Sequence, residues 1–362
     1  MLLSFYQLNS FINVLFEQLK YLCGNFYLNS GQLEKASIDF SCPELGKIRS
    51  YIIKSLIKLS KYCTKSAYDS LLNSQNEFQN YYNEEESLKK ANEYLTNKKI
   101  ISFDELLEKT NIIFFNEDIN SMSIITKQKK NSKEYQNLFQ LYNSGNLSKD
   151  KKTKKRKMEY LIDYSKLTNE GFLDEINKVL ALYYTNEELK QRIGNYVFTQ
   201  DNFIKLILII LKIRAKVPII MMGETGCGKT SLINVISKLK NNIILILKIH
   251  AGITNEDIIK FIEDNNLYQL DNKQNNYYEK IWIFLDEINT CNSMGLISEM
   301  MCKGTIQGKK LIENCIFIAA CNPYRKYEKK IEEIGLVSKL TKKKKFSLFS
   351  KSFTILFVKF CF

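Results

Sequence analysis

The sequence predicts a three-layer α/β/α domain built around a parallel sheet, preceded by a mainly helical region, and three segments carry that expectation. In the first, the apolar run Val217-Pro218-Ile219-Ile220-Met221-Met222 leads into Gly223-Glu224-Thr225-Gly226-Cys227-Gly228-Lys229-Thr230, and Leu232, Ile233, Val235 and Ile236 then recur at helical spacing. Strand, glycine-rich loop and helix stand in the order that the phosphate-binding pattern G-x-x-x-x-G-K-[ST] requires, and the loop fits that pattern without a mismatch. In the second, Trp282-Ile283-Phe284-Leu285 is apolar throughout and ends on Asp286-Glu287. In the third, Cys315-Ile316-Phe317-Ile318-Ala319-Ala320-Cys321 ends on Asn322, and Pro323 stops the ladder. Short continuous apolar runs suit strands buried on both faces of a parallel sheet, whose carboxyl ends open on a ligand crevice.

Each segment delivers chemistry to that crevice. The nucleotide-binding stretch is expected to run through Gly223, Glu224, Thr225, Gly226, Cys227, Gly228, Lys229, Thr230 and Ser231. Its glycines let the backbone curl until successive amides point at phosphate oxygens, and the following helix adds the positive end of its dipole. Lys229 supplies a point charge for the β and γ phosphates of ATP, and Thr230 a hydroxyl for Mg²⁺. Asp286 would hold the Mg²⁺ shell and Glu287 would polarise the attacking water, making Glu287, Lys229 and Asn322 the catalytic candidates. The acidic pair can also be read as helix caps on a loop. Asn322 can be read as a bridge between the γ phosphate and the water, or as a turn residue before proline.

In this order the three motifs resemble the core of an AAA+ ATPase. The segments FTQDNF (198–203), VPIIMMGETGCGKTSLI (217–233), HAGITNEDI (250–258), FLDEINTCNSMGLISEMMC (284–302) and FIAACNPYR (317–325) are similar to mysterin-type proteins, giant RING-finger ubiquitin ligases with tandem AAA+ modules. The resemblance implies a P-loop NTPase fold and a dynein-like ring of modules inside one polypeptide, in which ATP binding controls the ring and ubiquitin transfer is done elsewhere. It carries the ATPase roles onto Lys229, Thr230, Asp286, Glu287 and Asn322. The implied partners are neighbouring AAA+ modules, in cis or in an oligomer, and the ubiquitin machinery. Mg·ATP binding with hydrolysis is the expected activity, and a non-hydrolysing ATP-binding scaffold or regulatory fragment of a ubiquitin ligase is the alternative. No Cys/His array stands in the sequence, so ligase chemistry is not expected from these residues.

The chain departs from the family pattern after the third strand. A fifth strand and a helical lid bearing a second sensor arginine are expected there, yet Arg325 is the only arginine beyond Asn322. It reads as a finger for a neighbouring module or as a local salt bridge. From about Ser338 the resemblance stops, and Lys342-Lys343-Lys344-Lys345 with FSLFSKSFTILFVKFCF looks like neither lid nor linker. The lid is therefore expected to be missing, and the chain to be a fragment or a gene model that runs into non-coding sequence.

Composition narrows the class. The net charge of +14 raises a nucleic-acid reading, but much of it sits in Lys342–Lys345 and in Lys151-Lys152-Thr153-Lys154-Lys155-Arg156-Lys157, which lacks interleaved aromatics. A solvated linker and a general Lys/Asn/Ile bias account for it better, so nucleic acid is not expected as a partner. Nine cysteines without a CxxC pair, and a single histidine, read as reduced thiols of the cytosol or nucleus, and the cytoplasm is the expected location. The start MLLSFYQLNSFINVLFEQLK has no basic n-region or cleavage site and reads as an amphipathic helix, and no apolar run reaches the length of a membrane span.

Five segments result. Residues 1–142 read as mainly helical and resemble an inter-module connection, with Tyr51, Ile52, Ser55, Leu56 and Leu59 on one stripe and a strand at Asn111–Phe115. A basic linker spans 143–157, a helical lead-in 158–197, the AAA+ core 198–337 and the basic, Phe-rich tail 338–362. Within the core, Thr199 caps a helix with Phe203, Leu206, Ile207, Ile210 and Leu211 on one stripe, and Ile243–Ile249 forms a second strand. Asp264–Asn276 is a loop, and a helix carrying Met294, Ile297 and Met301 stops at Gly304. Gln307-Gly308 turns a hairpin whose Lys309 and Lys310 read as substrate contacts or as a solvated turn. His250 reads as a brake on Glu287 or as a packed, hydrogen-bonded residue, and Cys227 offers a thiol whose oxidation would inhibit the loop.

Overall fold

The computed structural model describes residues 5–29, 31, 48–64, 112–125, 136, 163–250, 252–269, 280–288, 291–322 and 357–359. The basic linker, Arg325, the lysine run at 342–345 and most of the Asp264–Asn276 loop lie outside them. Contacts divide the chain into two compact units, Leu8–Val217 and Pro218–Phe362, with Met1–Gln7 grouped with the second.

The first unit is a helical assembly around a short hairpin. Helices α1 (Phe5–Gly24) and α2 (Ile48–Thr64) pack with β1 (Ile112–Phe115) and β2 (Met122–Ile125), burying Leu22, Leu28, Ile52, Leu56, Ile113, Phe115 and Ile124 in one cluster. The expected stripe on α2 is thus a core stripe. β1 pairs antiparallel with β2, so its amides at Ile113 and Phe115 face away from the partner strand. Ser55 Oγ accepts the first at 3.0 Å and Gln18 Oε1 the second at 2.9 Å, which explains why two polar side chains are buried here.

Next come α3 (Asn169–Leu180), α4 (Asn186–Ile193) and α5 (Gln200–Arg214). Each starts at a threonine cap: Thr168 accepts from Gly171 N, Thr185 forms a reciprocal box with Glu188, and Thr199 accepts from Asn202 N. Tyr164 stacks on Phe203 at 5.4 Å and donates its hydroxyl to Glu175 at 3.0 Å. Arg214, at the end of α5, donates to the Phe115 carbonyl at 2.7 Å and lies over the Tyr21 ring at 4.1 Å.

α5 differs from its expected one-sided stripe, because every residue from Phe203 to Ile213 is buried. The run FIKLILIILKI is apolar on all sides except for two lysines. Lys205 pairs with Asp201 one turn earlier. Lys212 is also buried, 3% exposed, and carries a cost of desolvation.

The second unit is an all-parallel sheet. β3 (Ile219–Met222), β4 (Ile243–Lys248), β5 (Ile281–Asp286), β8 (Cys315–Cys321) and β9 (Phe357–Lys359) stand in the order β4-β5-β8-β3-β9. Helices α6 (Lys229–Lys240), α7 (Asn255–Asp264) and α8 (Met294–Lys303) link them. Buried Ile258, Ile262, Ile297, Met300 and Met301 pack with Ile283, Leu285, Ala319 and Cys321, so the methionine stripe is packing. Gly304 closes α8 in the left-handed conformation, as its position predicts. β6 (Thr305–Ile306) and β7 (Lys309–Lys310) then form the expected hairpin across Gln307-Gly308, both at positive φ. Glu299 fastens it by accepting from Thr305 Oγ1 at 2.9 Å and from Gly308 N at 3.0 Å. In the tail, Phe357–Lys359 pairs parallel with β3 on the side opposite β8 and supplies a fifth strand.

The buried amine on α5 gives stability a defined pH dependence. Burial pushes Lys212 down to about 8 from an ordinary 10.5, and pushes the nearby Cys63 thiol up to about 11 from 9.0. Between pH 8 and 10.5 the unfolded chain keeps a proton on Lys212 that the folded chain has released, so this group makes stability rise with pH. From pH 9 to 11 Cys63 acts oppositely, because the folded thiol keeps a proton that the unfolded one loses. The net rise is therefore confined to about pH 8–9. Lys212→Met is expected to raise stability at pH 7 by about 2–4 kcal/mol and to abolish that rise. Denaturant unfolding followed by circular dichroism measures both, and equal stability of the two proteins at pH 7 contradicts the assignment.

Candidate functional site

The predicted residues meet at the carboxyl edge of the sheet, and register accounts for it. Met222 of β3 lies beside Cys321 of β8, so the residues after them, Gly223 and Asn322, leave the sheet as neighbours. Gly223 N donates to the Cys321 carbonyl at 3.2 Å and fastens the start of the loop to β8. On the other side of β8, Leu285 pairs with Ala319, which brings Asp286 to the same edge. Ile249 N donates to the Asp286 carbonyl at 2.9 Å and locks the end of β5 to the chain leaving β4.

The loop itself has the conformation its glycines permit. Gly226 and Gly228 sit at φ +84° and +82°, and a Cβ at either would meet nothing within 4 Å. Their value is therefore backbone conformation together with open space above the loop, a cradle into which side chains would project. The amides of Gly226, Gly228, Lys229 and Thr230 take no acceptor among the described residues. They precede or begin α6, where the helix leaves its first donors unpaired. Glu224, Thr225 and Gly226 are exposed, as is Ser231, while Cys227, Gly228 and Thr230 are half-buried.

Lys229 is the buried charge of the site, 8% exposed. Its ammonium donates to the Gly223 carbonyl at 2.7 Å, to the Glu224 carbonyl at 2.8 Å and to Asn322 Oδ1 at 3.1 Å, with Cys227 Sγ at 3.7 Å. The Glu224 carbonyl also accepts from Cys227 N at 3.3 Å. The two loop carbonyls turned onto the ammonium had no signal in the sequence, since backbone acceptors leave no residue-type trace. The Cys321 thiol is pushed up to about 12 by burial, against the opposing pull of Lys229. That keeps it protonated and inert beside the site.

Thr230 donates its hydroxyl to Asp286 Oδ2 at 3.4 Å. Neighbouring oxygens around an octahedral Mg²⁺ stand about 3 Å apart, given metal–oxygen distances of about 2.0–2.1 Å. A neutral hydroxyl and a carboxylate at this separation are hard oxygen donors of the kind Mg²⁺ takes, so the residues present fit that ion. Glu287 follows Asp286 at φ +59°, an uncommon conformation for a non-glycine residue that turns the chain sharply at the strand end. His250 is exposed, so it is not the packed residue of the second reading, although its Nδ1 does accept a local hydrogen bond from Gly252 N at 3.2 Å. Thr254 and Asp257 form a reciprocal cap on α7, and the bonds from Thr254 hold the Asp257 carboxyl below its ordinary value. Lys309 lies 5.6 Å from the Tyr268 ring, so the hairpin lysine has a cation–π neighbour.

Comparison with known proteins adds the family. A profile of the RNF213 AAA domain matches residues 196–325. The mouse E3 ubiquitin-protein ligase RNF213 is 30% identical over 243 residues, covering 62% of this chain and 5% of that protein. The human protein of the same name is 31% identical over 192 residues, covering 50% of this chain and 4% of that protein. The zebrafish E3 ubiquitin-protein ligase rnf213-beta is 29% identical over 319 residues, covering 82% of this chain and 6% of that protein. The chain thus spans about one twentieth of the length of these relatives. Among solved structures, a RuvB mutant from Thermotoga maritima aligns at 17% identity with a TM-score of 0.25, over 42% of this chain and 41% of that one. Strand, glycine loop and helix, the parallel sheet with its acidic strand end, and the profile match agree on an AAA+ fold for residues 196–325, a segment similar in sequence to the RNF213 AAA domain.

Proposed function

We infer that this module binds Mg·ATP at the loop 223–231 and hydrolyses it in concert with neighbouring AAA+ modules. The observation that carries the reading is the convergence on Lys229: a buried ammonium at a glycine cradle, with Asn322 bonded to it and the Thr230–Asp286 pair one residue on. In this reading the amides of Gly226, Gly228, Lys229 and Thr230 bind the phosphates, and Lys229 neutralises the charge spread over their oxygens. Thr230 and Asp286 would hold Mg²⁺, which would supply electrostatic stabilisation of the phosphate charge. Glu287 takes up a proton from the attacking water, and Asn322 orients that water against the γ phosphate.

A neighbouring module supplies the remaining cation of the transition state. The relatives bear the name of E3 ubiquitin-protein ligases, and the function proposed here is the nucleotide-driven part of such an assembly, working in the cytoplasm. Residues 196–325 make up the module, and ubiquitin transfer belongs to other parts of the assembly.

Two substitutions separate binding from turnover. Lys229→Ala removes the buried charge and is expected to weaken ATP binding by at least about 100-fold in equilibrium titration, the worth of a charged contact to phosphate. Retained affinity would place the nucleotide elsewhere. Glu287→Gln keeps the shape and removes the base, so ATP binding persists while phosphate release slows by roughly 10²–10⁴ in the assembled ring. Equal rates of phosphate release for the two proteins refute the role given to Glu287, and no release by either leaves a nucleotide-binding scaffold as the function.

A further inference from the structure

The Lys229 ammonium has three N–H donors, and three protein oxygens engage it: Gly223 O at 2.7 Å, Glu224 O at 2.8 Å and Asn322 Oδ1 at 3.1 Å. A phosphate oxygen can be added to this set only by displacing one of them or by weakening all three. Two of the acceptors are carbonyls of the loop itself, and the Glu224 carbonyl is further committed to Cys227 N at 3.3 Å. Releasing either carbonyl requires the loop backbone to turn. The third acceptor is a neutral carboxamide at the end of β8, the longest of the three contacts, and its release needs rotation of a side chain rather than a turn of the loop backbone.

We propose that Asn322 is a latch on Lys229: its carboxamide oxygen holds the ammonium in a position that opposes phosphate binding, and nucleotide enters by exchanging that oxygen for a phosphate oxygen. Asn322 is here a positioning residue acting through Lys229, in addition to its place beside the attacking water, and the proposal rests on the reading of the loop as a nucleotide site. The latch also ties loop to strand. Gly223 N is bonded to Cys321 O, so the start of the loop stays on β8 while the Lys229–Asn322 bond alone opens. The exchange thereby leaves the start of the loop in place, and the energy it consumes is taken from nucleotide affinity.

ADP without Mg²⁺ separates this role from any contact with the γ phosphate, which ADP lacks. Removing the carboxamide by Asn322→Ala in the 362-residue chain is expected to tighten ADP binding roughly 3- to 10-fold and to speed association by a similar factor, the worth of one neutral acceptor. Damage to packing would weaken binding instead, so the direction of change is the discriminating readout. Asn322→Leu, which keeps the volume, is measured alongside, and emission from Trp282, the only tryptophan, reports folding of both variants. If the unaltered chain does not bind ADP, the nucleotide reading itself fails. If it binds and both folded variants bind equally well or more weakly, the latch alone is overturned.

Discussion

One buried ammonium organises the edge of this sheet. Lys229 is drawn to oxygens from the loop that precedes it and from the strand beside it, and a desolvated charge of this kind persists only where all its donors are satisfied. The parallel register brings those oxygens together. Because Met222 and Cys321 are paired, the chain leaves two adjacent strands at the same height, and glycine loop and carboxamide face one another. A slip of one residue would turn Asn322 to the other face of the sheet and leave the ammonium one acceptor short.

The same edge explains where conformational cost is placed. Gly226 and Gly228 adopt positive φ without penalty, while Glu287 does so with a side chain. The strand behind it is fully buried from Trp282 to Leu285 and fastened at its end by Ile249 N, so a rigid platform holds the strained residue in place. Neighbouring helices are set by local caps, and Thr254 with Asp257 starts α7 without help from the rest of the fold. A rigid frame around one buried charge suits the proposed nucleotide chemistry, which rests on positioning and electrostatics rather than covalent catalysis.

Much of this architecture was legible from residues because the signals were local or periodic. The apolar runs at 217–222, 282–285 and 315–321 became the central strands, and the Thr199 cap and Gly304 fell where their chemistry places them. β2 was missed, although the polar turn Asn116–Ser121 between two apolar runs is a hairpin signal that could have found it. The all-round burial of α5 was read as one stripe, since periodicity ranks faces of a helix and cannot say how many are covered. In the tail, the pairing of Phe357–Lys359 with β3 was hidden by the unfamiliar wording around it, because a backbone ladder needs no particular side chain. At the site, the sequence named the side chains at the edge. The carbonyls of Gly223 and Glu224 that hold Lys229 were invisible to it, since their orientation is a property of loop geometry.

A crystal structure of the chain with ADP and Mg²⁺ tests the central claim most directly. The account predicts phosphate oxygens within hydrogen-bond distance of the amides of Gly226, Gly228, Lys229 and Thr230, the Lys229 ammonium turned onto the β phosphate, and the Thr230 hydroxyl on the metal. Nucleotide bound away from this loop, or bound here with Lys229 still engaged by Gly223 O, Glu224 O and Asn322 Oδ1, would contradict it.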